Sequence, residues 1–143
     1  MANTSSHDRT TPYRLGELTK LATEFGFECD RQDEVRVAVR LAPDAVLEFC
    51  NLEAGDSLVG FEGTPWHSHG IVQFMTGVDT YVEYDELDIV LGLGSGELVV
   101  VSQYLKGQLQ DRRLAHKHEP LDLRHLEPDE ELRVLRLRTG GVL

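Results

Sequence analysis

Hydrophobic residues recur along this chain in two periods, and each change of period marks a new element. Leu15, Leu18, Leu21, Ala22 and Phe25 fall at helical spacing, with Thr11 placed as N-cap, Pro12 at the first helical position and Gly26 as the stop. Such a stripe predicts a core-facing amphipathic helix. Val35 to Leu41 then alternates strictly, as a half-buried strand does, and Ala42-Pro43-Asp44 ends it. Further strands are predicted over Val46 to Leu52, Ser57 to Phe61 and Ile71 to Met75, the first two joined by a Glu53 to Asp56 turn. Thr80-Tyr81-Val82-Glu83 fits a capping box, so a second helix is predicted from Thr80 to Leu91, with Gly92 or Gly94 to end it. Glu97 to Leu105 and Gln108 to His116 form a hairpin about Lys106-Gly107, in a register that sets Glu97 opposite His116 and Val99 opposite Leu114. After a Pro- and acid-rich connector, Leu132 to Arg138 is the last strand.

These elements sum to an α+β fold: two helices packed on one mainly antiparallel sheet of about six to seven strands. Residues 1–10 are small and polar and are expected to be a disordered tail, residues 11–139 one domain, and residues 140–143 a flexible end. No apolar run approaches the ~20 residues of a membrane helix. The polar N-terminus has no signal-peptide segment, which together with only two cysteines, Cys29 and Cys50, points to the cytoplasm.

Charge changes the picture more than composition does. The formal net charge is −11, and from Leu41 to Leu105 there is no Lys or Arg. The same span carries Asp44, Glu48, Glu53, Asp56, Glu62, Asp79, Glu83, Asp85, Glu86, Asp88 and Glu97. A field of one sign repels nucleic acid and anionic membranes, and attracts basic proteins and cations.

Candidate chemistry gathers at histidine. Thr64-Pro65-Trp66-His67-Ser68-His69-Gly70 holds the only tryptophan, and His116 and His118 make a second His-x-His pair, with His125 shortly after. On extended chain each pair presents two imidazoles to one side, as sheet-borne metal sites do. Glu62, Gln73 or Glu119 could complete a ligand set. The cupin pattern, a His-x-His pair followed by a carboxylate and a later histidine, is not met, since Gln73 stands where the carboxylate is expected. Gly92-Leu93-Gly94-Ser95-Gly96 lacks the Lys of a phosphate-binding loop and precedes a strand, so it is a helix stop.

The expectation is therefore a small acidic, non-catalytic binding protein, inhibitor- or immunity-like, for a basic protein partner. Its binding residues would be Tyr81, Glu83, Tyr84, Asp85, Glu86 and Asp88, with Trp66, and it would need no cofactor. The alternative is a metal-binding protein or metal-dependent enzyme that holds a divalent transition metal such as zinc on His67, His69, His116 and His118.

Overall fold

A computed structural model describes residues 11–137 apart from Asp122 and His125. The expectations for residues 1–10, for His125 and for the C-terminal tail lie outside the described residues. The chain runs α1 (Leu15–Glu24), β1 (Glu28–Asp33), β2 (Arg36–Ala42), β3 (Ala45–Asn51), β4 (Ser57–Phe61), β5 (His67–His69), β6 (Val72–Gly77), β7 (Thr80–Tyr84), α2 (Glu86–Ser95), β8 (Leu98–Leu105), β9 (Gln108–His116) and β10 (Glu130–Arg136).

The fold is α+β with two helices and antiparallel pairing, but the single expected sheet is three. β1-β2-β3-β4-β5 form a meander, β6-β7 a hairpin, and β10-β8-β9 a three-stranded sheet. The break has a local cause. β5 is three residues long, fenced by Pro65 and by Gly70 at φ 59°, so the chain turns out of the ladder before β6. The Tyr13 hydroxyl donates to the Gly70 carbonyl at 2.9 Å and fixes that corner.

One core joins the three sheets and both helices. Leu18 and Ala22 of α1, Val37, Leu47, Phe49 and Val59 of the meander, Phe74 and Tyr84 of the hairpin, Ile89 of α2, and Val100 and Leu114 of the last sheet all belong to it. The end of α1 and α2 meet closely at Gly94, where a Cβ would collide with the Phe25 ring. No helix among the described residues is long and apolar enough to cross a membrane.

Three expectations need correction. The helix predicted from Thr80 begins at Glu86, and Thr80–Tyr84 is strand. Tyr81, Val82 and Tyr84 are β-formers, and pairing Val82 with Phe74 and Tyr84 with Val72 outweighs the local capping signal. The capping box is present five residues later, on Asp85 and Asp88. The β8–β9 register is one residue off: Val99 faces Ala115, and His116 faces Leu98. A bulge between Gln103 and Tyr104 absorbs one residue of β9, although Lys106 and Gly107 make the two-residue turn at φ 53° and 80°. Finally, α1 starts at Leu15, not at Thr11 and Pro12. The segment before the helix is held to the meander instead, because Ser57 Oγ donates to the Thr11 carbonyl (2.8 Å) and Asn51 bonds both backbone groups of Tyr13 (2.6 and 3.0 Å).

Candidate functional site

The acidic, tyrosine-bearing stretch is largely committed to the fold. Glu86 is only 5% exposed and accepts from the Arg14 backbone N–H (2.7 Å) and from Arg14 Nε (3.0 Å). Asp85 receives Arg14 Nη2 at 3.1 Å and caps α2 by accepting from the Asp88 N–H at 2.8 Å. The Asp88 carboxylate accepts from the Asp85 N–H in return. Tyr84 is buried and donates to Glu97 Oε1 at 2.9 Å; burial, then that bond to a carboxylate, push its phenol up to about 12. Tyr81 (53% exposed), Glu83 and Asp88 remain at the surface.

Trp66 stacks at a tilt on Phe61 and donates its backbone N–H to Asp111 Oδ1 at 3.0 Å. A cleft of about 250 Å³ brings Trp66, His67 and Tyr81 together with the Arg113–Glu119 ion pair, whose closest contact is 2.8 Å. Tyr81 and Trp66, distant in sequence, thus meet at one opening.

The two histidine pairs serve different ends. His67 and His69 share the outer side of β5, ring centroids 5.4 Å apart. His67 donates from Nδ1 to the Pro65 carbonyl (3.1 Å) and His69 from Nδ1 to Asp56 (3.1 Å). His116 is buried, which lowers its imidazole below the usual range, and its Nδ1 accepts from the His118 N–H at 3.1 Å. That is the hydrogen bond of a neutral ring ending a strand. Among the described residues no group of three or more His, Cys, Asp or Glu could hold a metal. The pairs do not combine into one ligand set.

A further candidate surface is one the sequence did not single out: the face of the five-stranded sheet turned away from the core. Val37, Val39, Leu47, Phe49, Val59 and Phe61 are buried on the core side. Alternation therefore sends Arg36, Ala38, Arg40, Val46, Glu48 and Gly60 to the other side. Directly paired residues share a face, so register builds rows across the strands. One row runs Asp30, Ala38, Glu48, Gly60, His67, and another runs Arg36, Cys50, Leu58, His69. At the end nearer β1, Glu28, Asp30 and Glu62 rim a trough of about 450 Å³ over Ala38 and Val46. Its one cation, Arg40, is already engaged, with Glu28 at 3.1 Å and with the Pro43 carbonyl at 2.8 Å. Gly60 is required in the second strand from the edge, because a Cβ there would sit 2.8 Å from the Trp66 carbonyl oxygen.

Glu48 shows the electrostatics of this face. Partial burial raises its carboxyl above the usual range, and the charge of Glu62 raises it further, while Arg36 offsets part of this. Two carboxyls share the face with too little positive charge between them. Both cysteines are free thiols; Cys50 belongs to this face and Cys29 lines the trough. The signal that could have found the face was present in part: Arg36 and Arg40 alternate with the core residues of β2, and Glu48 interrupts the apolar run of β3. β1 gave none, since Glu28-Cys29-Asp30-Arg31-Gln32-Asp33 has no hydrophobic phase. The chain matches no protein-family model, no curated protein and no solved structure.

Proposed function

We propose that this chain is a small acidic binding protein without catalysis, inhibitor- or immunity-like, whose partner is a basic protein docked on the open face of the five-stranded sheet. The carboxylate-rimmed trough carries this reading. Glu28, Asp30 and Glu62 surround a floor of Ala38 and Val46, and among the described residues the one Arg on that rim is paired with Glu28, which leaves Asp30 and Glu62 facing the trough. A lysine or arginine side chain from a partner fits such a site, because charge-assisted hydrogen bonds to carboxylates are about twice as strong as neutral ones. Its charge also relieves the repulsion between Glu48 and Glu62. The absence of Lys and Arg from Leu41 to Leu105 extends the negative field beyond the trough and steers a basic partner toward it.

Capture from native lysate tests the reading, with wild-type chain beside a bait carrying Glu28→Gln, Asp30→Asn and Glu62→Gln. The expected result is a basic protein retained by wild type and lost by the triple variant. Equal retention on both baits contradicts the proposed face.

A further inference from the structure

β10 is a free sheet edge of an unusual kind. It pairs with β8 through seven residues, Glu130 to Arg136, without a bulge, and no strand among the described residues pairs with its other side. Val134 is 52% and Leu135 40% exposed, so the edge displays apolar side chains in its second half. The other free edge that begins a sheet, β1, shows the usual protection: a bulge between Arg31 and Asp33 and no large apolar side chain on display. Long, regular edges with exposed apolar residues are templates for strand pairing.

The charges on β10 say what pairs with it. Its first residues are Glu130 and Glu131, and its later ones include Arg133 and Arg136. A strand acidic at one end and basic at the other complements itself only when the second copy runs antiparallel. A two-fold axis normal to the sheet keeps both sheets facing the same way, which requires opposed residues of equal parity. Centred on Arg133, this arrangement sets Glu130 against Arg136, Glu131 against Leu135 and Leu132 against Val134, each twice. Glu130 already accepts from Gln103 Nε2 (3.1 Å) and the Glu127 N–H (2.8 Å), and Arg136 Nε donates to the Gly96 carbonyl (3.0 Å), so the pair is made through the Arg136 Nη groups. Arg133 then faces its own copy, but each guanidinium is held by its own Glu131 at 2.9 Å and lies 4.1 Å from the Tyr104 ring centre. Centring on Val134 instead sets Leu132 against Arg136 and Arg133 against Leu135, and puts Glu130 opposite residue 138, beyond the end of β10.

We propose that two copies of this chain associate through β10, antiparallel about a two-fold axis at Arg133, joining their three-stranded sheets into a six-stranded one. This rests on the edge and its charges, not on the partner proposed for the other sheet. Sedimentation of the full chain from ~1 to ~100 μM should show a concentration-dependent monomer–dimer equilibrium. Glu130→Arg should weaken dimerisation at least tenfold, and adding Arg136→Glu should restore it, with circular dichroism confirming that both variants fold. Arg133→Cys gives a second measurement that leaves these pairs intact. On a non-reducing gel it should form a covalent dimer where wild type does not, since directly opposed Cβ atoms lie ~4.5–5.5 Å apart. A monomer at the highest concentration overturns the proposal, as does a dimer indifferent to Glu130→Arg. Cross-linking by Val134→Cys in place of Arg133→Cys overturns it as well.

Discussion

The segment Tyr81 to Asp88 and the open face of the five-stranded sheet are both acidic, yet they use their charge in opposite ways. In the first, Asp85, Asp88 and Glu86 are occupied by the N-terminus of α2 and by Arg14, and Tyr81, Glu83 and Asp88 lie at the surface. In the second, Glu28 pairs with Arg40, but Asp30 and Glu62 rim a trough with no cation on them among the described residues, and burial and the charge of Glu62 raise the Glu48 carboxyl. Local density of acid along a sequence measures neither exposure nor availability. A carboxylate that caps a helix or accepts from a buried backbone N–H is part of the scaffold, whereas one left beside a like charge favours an incoming cation.

Substitution should separate the two regions, with the largest effect at Glu86. Removing it with Glu86→Ala leaves the Arg14 backbone N–H without its acceptor, and urea denaturation should show a loss of about 1.5–3 kcal/mol, the range for hydrogen bonds to charged groups. Glu62→Gln should stay within ~0.5 kcal/mol of wild type, as exposed substitutions do. Equal losses at the two sites would erase the contrast. Asp85→Ala comes next, at about 1 kcal/mol for a lost N-cap, and should show as faster hydrogen exchange in the first turn of α2.

The smallest effect is a pH dependence on the open face. Because Glu48 has a raised native pKa, its contribution to stability is fully present below the unfolded carboxyl value and is lost as pH rises through the native one. Glu48→Gln should therefore match wild type near pH 4 and be more stable at pH 7. Solvent screening keeps the gain to a few tenths of a kcal/mol. A variant less stable than wild type at pH 7 would show that the Glu48 carboxylate is favourably held after all.

Sequence and structure agree where one physical signal dominates. The apolar stripe of α1, the strict alternation of β2 and the Lys106-Gly107 turn each stand in the chain much as their residues dictate. Disagreement arises where two signals compete. Thr80 to Glu83 carries a capping pattern, but Val82 and Tyr84 find partners on β6 and the capping box moves to Asp85. The candidate face was harder to see, because it exists only after register brings Asp30, Glu48 and His67 into one row from three separate strands. The separation of the sheets likewise depends on Pro65 and Gly70 cutting β5 to three residues, which alternation alone does not reveal.

The central claim is that the open sheet face binds a basic protein through charge. It is tested most directly by the association rate of the captured partner, measured by stopped flow at two salt concentrations. Screening shortens the Debye length from ~10 Å at 0.1 M to ~3 Å at 1 M, so steering across the trough should fade over that range. Wild type should associate at least ~10-fold more slowly at high salt. The chain carrying Glu28→Gln, Asp30→Asn and Glu62→Gln should associate slowly, with little salt dependence. A wild-type rate that is the same at both salt levels, or a triple variant that associates as fast as wild type, would contradict the claim.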